Sequence, residues 1–224
     1  MSDLRVYALS GIDYTAGLQT GYLLAKEGDA VLVDASADVK DIAAVLAETR
    51  STLRAVLLTH CHFDHCANAA RIKSAFPQAQ LCASPYSEGM LSDGTWTAGF
   101  VAYPTPNWRV DLAVRETTYA FGSIAVRVIY TPGHTADSVC YLIDDAYLAA
   151  GDTLMNDIVC GNSHLPTGDA RTLFASGQKL WREVADDVAI LGGHVSRPSG
   201  EDWEPYRSKS TVGRAKHRNM INRL

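Results

Sequence analysis

Seven residues able to bind a metal ion stand at strand ends along this chain. Thr59-His60-Cys61-His62-Phe63-Asp64-His65-Cys66 places three histidines and one aspartate within six positions, directly after the apolar run 53–58. Imidazole and carboxylate are ligand types for zinc and for iron. An apolar run that ends in polar residues reads as a buried strand opening into a loop. Along an extended segment alternate side chains share a face, so His60 and His62 can address one point. Asp64 and His65 then fall where the chain turns into 67–73, a good helix former. His134 stands in Thr131-Pro132-Gly133-His134-Thr135, Asp152 in Gly151-Asp152-Thr153 and His194 in Gly192-Gly193-His194, each just beyond a predicted strand. Singly, each would be an ordinary loop residue. Their shared placement favours one common site, because loops at one edge of a sheet framework readily assemble a binding site.

The elements that must position these groups alternate between strand and helix. Strands are predicted at 4–10, 21–25, 30–34, 53–58 and 79–83. A helix over 38–50 follows from Val39, Ile42, Ala43, Leu46 and Ala47 at helical spacing. A second helix is expected from about 66 to 75, ahead of Pro77. Later strands are expected at 114–121 and 124–130, joined at Gly122-Ser123, and at 138–143 and 146–150, turning at Asp144-Asp145. A helix over about 169–185, a strand at 188–191 and a basic, partly helical tail from about 205 complete the pattern. Residues 85–110 differ in texture, with Met90, Leu91, Trp96, Phe100, Tyr103 and Trp108 interleaved with glycine and proline. They read either as a lid whose Trp96, Tyr103 and Trp108 wall a substrate pocket, or as packing against the body or a homodimer contact.

A chain of 224 residues with 47% apolar and 20% charged residues suits one globular domain, 1–224. A net charge of −5 gives no footprint for nucleic acid or an anionic membrane as partner. Five scattered cysteines suit reduced thiols in a cytoplasmic protein better than a disulfide framework. The start lacks a signal-peptide profile and no run reaches transmembrane length.

The motif His-x-His-x-Asp-His, followed by Gly-His, Gly-Asp-Thr and a late Gly-His, resembles the metallo-β-lactamase superfamily through nearly the whole chain. That resemblance implies an α/β (α+β) αββα sandwich, with two sheets packed face to face and helices outside. It implies that His60, His62 and His134 bind one metal, that Asp64, His65 and His194 bind a second, and that Asp152 bridges. Two zinc ions are expected. Aspartate rather than cysteine at the bridging position resembles the glyoxalase II side of the superfamily. Physically, a water between two such cations loses a proton near neutral pH. The hydroxide held beside Asp64 and Asp152 can then attack an ester, thioester or lactone carbonyl, with a metal stabilising the oxyanion.

Cys61 between two histidines, and Ser210-Thr211-Val212 leading to Asn222-Arg223-Leu224, are also similar to the persulfide dioxygenases of the superfamily. In that alternative one Fe(II) would sit on His62, His134 and Asp152 and oxidise glutathione persulfide, with the remaining groups around it. The chain departs from that family where Gly161-Asn162-Ser163-His164 replaces a Gly-Arg-Thr-Asp segment, and in its longer insertion. His164 could bind substrate or protonate a leaving group, or be a surface-loop histidine. The basic tail residues Arg207, Lys209, Arg214, Lys216, His217, Arg218 and Arg223 could take a glutathione conjugate, or form a solvated helix face. A catalytically silent metal-binding protein is the third reading; hydrolysis leads.

Overall fold

The computed structural model describes residues 4–14, 17–93, 96, 108–155, 160–194 and 210–217. The strands are β1 (Arg5–Tyr14), β2 (Gly17–Lys26), β3 (Asp29–Val33), β4 (Thr52–Leu57), β5 (Gln80–Ala83), β6 (Leu112–Ala113), β7 (Thr118–Phe121), β8 (Ile124–Tyr130), β9 (Val139–Ile143), β10 (Tyr147–Gly151) and β11 (Ala189–Gly192). The helices are α1 (Val39–Thr49), α2 (Phe63–Cys66), α3 (Ala69–Ala75), α4 (Ser87–Asp93), α5 (Ala170–Glu183) and α6 (Val212–His217). One sheet runs in the order β1-β2-β3-β4-β5-β6 and the other β11-β10-β9-β8-β7.

Three apolar layers fix the αββα stacking. Between the sheets lie Val31, Val33 and Leu57 from one and Val126, Val128 and Tyr141 from the other. Outside the first sheet, Leu32 and Val56 meet Ile42 and Leu46 of α1, Phe63 of α2 and Ile72 of α3. Outside the second, Ile129, Cys140 and Leu148 meet Leu180 and Trp181 of α5 and Val212 and Ala215 of α6. β3, β9, β10 and β11 are buried at every position, as strands covered on both faces must be. Asp38 and Asp169 cap α1 and α5 by accepting the Lys40 and Thr172 backbone N–H groups.

Strand direction then gathers the loops. β3, β4 and β5 run parallel. In the other sheet β8 and β10 both run antiparallel to β9, and β11 runs parallel to β10, so β8, β10 and β11 point the same way. The sheets are sewn together at that end by Val139 N–H to Thr59 O, 2.8 Å, and Tyr141 Oη to Leu58 O, 2.8 Å.

The predicted turns at Gly122-Ser123 and Asp144-Asp145 form, with positive φ at Gly122, Asp144 and Asp145. Two expectations change. The helix expected over 66–75 is two helices, because the chain turns helical already at Phe63 and breaks at Ala67-Asn68, where Asn68 instead hydrogen-bonds Ser36 O. The strand expected over 114–121 forms only in its second half, as β7; residues 114–117 are loop, and β6, just ahead of them, belongs to the other sheet. Within the aromatic insertion α4 forms, Trp96 is buried, and Trp108 is half-buried against the same outer layer as α1. Both follow the packing reading; Tyr103 lies outside the described residues. Among the described residues no helix is long and apolar enough to cross a membrane.

Replacing Tyr141 with Phe should remove the inter-sheet hydrogen bond and leave the buried Leu58 carbonyl without its donor. Urea unfolding should show a loss of about 1–3 kcal/mol. A change below about 0.5 kcal/mol would mean that water or a backbone shift satisfies the carbonyl.

Candidate metal centre

All seven predicted donors converge at the shared strand edge. His60, His62, Asp64 and His65 follow β4, His134 follows β8, Asp152 follows β10 and His194 follows β11. Three sets bring one donor atom from each member within 4.8 Å of one another: His60, His62 and His134; His60, His65 and Asp152; and Asp64, His65 and His194. His60, His62, His65, His134 and Asp152 are buried, whereas Asp64 and His194 are half-buried at the mouth.

In the first set, His62 Nδ1 lies 3.1 Å from both His60 Nε2 and His134 Nε2. Nitrogens arranged tetrahedrally around zinc lie roughly 3.3 Å apart, so this spacing fits three ligands of one ion. On the other side, Asp64 Oδ2 is 3.2 Å from His194 Nε2 and 3.8 Å from His65 Nε2. Asp152 faces both groups: Oδ2 lies 3.5 Å from His134 Nε2 and 3.5 Å from His194 Nε2, and Oδ1 lies 3.4 Å from His65 Nε2. His65 Nε2 and Asp152 Oδ1 are buried atoms without a hydrogen-bond partner. Buried polar atoms are seldom left so, and orphans facing a common centre suit a bound cation.

Hydrogen bonds behind the rings decide which nitrogen faces inward. Asp34, at positive φ just beyond β3, accepts His65 Nδ1–H at 2.7 Å and the Thr59 backbone N–H at 2.8 Å. The Thr59 hydroxyl also donates to Asp34, so its oxygen is left to accept His60 Nδ1–H at 3.1 Å. His134 Nδ1–H donates to Asn162 O at 2.7 Å. In each case Nε2 keeps its lone pair for the centre, the arrangement that orients metal-binding histidines. Asp34, Thr59 and Asn162 escape the sequence reading; Asp34 there is merely the last residue of an apolar strand.

Two glycines explain their motifs. Gly133, at φ 135°, presses against α5, where a Cβ would fall 2.2 Å from Leu173 N. At Gly193 a Cβ would fall 2.3 Å from Asp152 Oδ1. The chain must therefore lack a side chain immediately before both His134 and His194.

Charge follows from burial and neighbours. Burial, reinforced by the nearby histidines, pushes His60 well below the ordinary imidazole range, and burial with His134 lowers His62 to about 3. Burial also opposes a charge on His65, but Asp34, Asp64 and Asp152 outweigh it and raise that imidazole. Asp152 and Asp64 resist burial's upward push through His65 and their other histidine neighbours, and both carboxyls are lowered. Neutral His60 and His62 beside ionised carboxylates are in the protonation states a divalent cation requires, whereas on His65 a cation would compete with a proton.

His164 is exposed, with its backbone N–H on Asn162 Oδ1 two residues from the His134 contact. Of the basic tail, Lys216 Nζ reaches Asp186 at 3.4 Å and Trp181 O at 3.3 Å, while Arg207, Lys209, Arg218 and Arg223 lie outside the described residues.

The chain belongs to the metallo-beta-lactamase superfamily, whose family model matches residues 14–195. A hydroxyacylglutathione hydrolase from Glaesserella parasuis is 30% identical over 173 residues, covering 77% of this chain and 64% of that protein. The chain thus spans less than two thirds of that relative's length. BaeB, a probable polyketide biosynthesis zinc-dependent hydrolase from Bacillus velezensis, is 31% identical over 166 residues, 74% of this chain and 67% of that one. The crystal structure of BLEG-1, a B3 metallo-beta-lactamase, shares the fold with a TM-score of 0.78 at 22% identity, covering 95% of this chain and 97% of that one. A di-iron-bound structure of TTHA1623 matches with a TM-score of 0.69 at 25% identity, covering 83% and 92%.

Removing the Asp34 carboxylate should free both the His60 and the His65 rings. Asp34→Ala is expected to weaken metal binding by about 10–100-fold in chelator competition; unchanged affinity would refute its orienting role. A pH series tests His62. It takes a proton at about 3 in the folded chain against an ordinary 6.5, so the unfolded chain binds the extra proton between those values. Metal-free protein should therefore lose stability as pH falls from about 6.5 towards 3, by about 1.4 kcal/mol per pH unit from this group. His62→Gln should flatten that slope in urea unfolding by about one proton. An unaltered slope would mean His62 is not buried neutral.

Proposed function

We propose that the chain is a hydrolase that uses two divalent metal ions to cleave an ester, thioester or lactone. The observation that carries this reading is Asp152 facing two donor sets at once, with His134 on one side, His65 and His194 on the other. His60, His62 and His134 would hold the first ion, Asp64, His65 and His194 the second, and Asp152 would join them. Such ions supply Lewis acidity and make water nucleophilic near neutral pH.

The protein's own groups set up that chemistry. Asp152 and Asp64 stay ionised because their histidine neighbours lower them. Ionised carboxylates balance cation charge and can accept a proton released at the mouth, where Asp64 is half-buried. The three carboxylates that favour a proton on His65 favour a divalent cation in its place. The 161–164 loop, fixed to His134 through Asn162 O, leaves His164 exposed as the candidate substrate-side group.

The name of the hydroxyacylglutathione hydrolase relative supports a glutathione thioester as first substrate to try. BaeB's name supports zinc, and the di-iron TTHA1623 keeps iron in view. The persulfide dioxygenase alternative relies on a single iron held by His62, His134 and Asp152, which would leave the convergent set of Asp64, His65 and His194 without an ion. Cys61 is buried in the apolar layer outside the first sheet, so its place in the motif is accounted for by packing.

Anaerobically purified protein should contain about two metal ions per chain and cleave a hydroxyacyl thioester without oxygen uptake. Asp152→Ala should lower turnover by about a hundredfold or more. One iron per chain together with oxygen consumption on a persulfide would overturn this assignment.

A further inference from the structure

Asp137 lies outside the seven donors, yet it is a fully buried carboxylate set between two of their loops. Its Oδ2 accepts the Cys61 backbone N–H at 3.0 Å and the Ser87 hydroxyl at 2.8 Å; its Oδ1 accepts the Thr135 hydroxyl at 2.7 Å. Cys61 separates His60 from His62, and Thr135 follows His134. We propose that Asp137 is a positioning residue that sets the distance between the His60/His62 loop and the His134 loop, and so builds the first metal position. This rests on the two-metal reading above.

A carboxylate suits the place better than any neutral side chain. Three donors converge on it, and the Cys61 amide can only donate. Two acceptor oxygens serve all three without rotation of the group, whereas an amide would turn an N–H₂ towards one of them. Burying a carboxylate is costly unless hydrogen bonds replace its water, so such a group persists where several donors meet it. Thr135 is itself held, because its N–H reaches Ser138 Oγ at 3.1 Å and its hydroxyl lies 2.6 Å from that oxygen. The third donor, Ser87, opens α4, so the same carboxylate ties the helix entering the aromatic insertion to the histidine loop. A sub-ångström change at Cys61 would move His60 and His62 together relative to His134, whose nitrogens meet at 3.1 Å. Among the described residues no hydrogen bond links Asp137 to Asp64 or His194, so its influence should fall on one metal position.

Zinc affinity measured against a chromophoric chelator tests this in two backgrounds of the full chain. With His194→Ala, which leaves the first position intact, Asp137→Ala should weaken zinc about tenfold or more. With His62→Ala, which leaves the second, the same change should cost less than about threefold. Asp137→Asn keeps one acceptor for Cys61 N–H and should recover part of the loss; it also serves if Asp137→Ala does not fold. Equal losses at both positions, or no loss at the first, would overturn the positioning role while leaving the two-metal reading standing. Wild-type protein that binds no zinc, iron or cobalt would overturn both.

Discussion

The contact between Asp34 and His65 is the constraint on which the centre depends. A single carboxylate, held at positive φ where β3 ends, fixes His65 directly and His60 through the Thr59 hydroxyl. It therefore serves both donor sets from one buried point. Without it two rings in a water-poor site would be free to turn, and an imidazole presenting N–H instead of a lone pair cannot bind a cation. The strand pairing behind it matters equally, because Asp34 N–H is held by Leu57 O of β4 at 3.0 Å.

The centre is a balance of unlike charges kept from water. Burial alone would neutralise every group in it. Instead His60 and His62 yield to burial, while His65, Asp64 and Asp152 sustain one another's charge. The carboxylates that favour a proton on His65 would equally favour a cation there, and metal binding would compete with that proton. Asp64 and His194 are the half-buried members of the centre.

Much of this was legible before any folding was considered. His-x-His-x-Asp-His and the three later glycine-led motifs mark strand ends, because apolar runs precede each one. The hairpin turns were legible because their residues tolerate positive φ. The groups behind the rings were not. Asp34 looks like the close of a strand, Asp137 like an ordinary loop acid, and Asn162 acts through a backbone carbonyl that carries no residue signature. The aromatic insertion was open to two readings from sequence, and Trp96 and Trp108 pack in the layer that holds α1.

Local sequence determined which residues carry ligand chemistry and where most strands lie, since both follow from residue type and short-range periodicity. Only tertiary structure decided that β4, β8, β10 and β11 all open at the same edge, and that Asp152 lies between two donor sets. That outcome depends on strand direction and on two sheets facing each other. Partners such as Asp34 with His65, 31 residues apart, or Asp137 with Cys61, 76 apart, meet only through it.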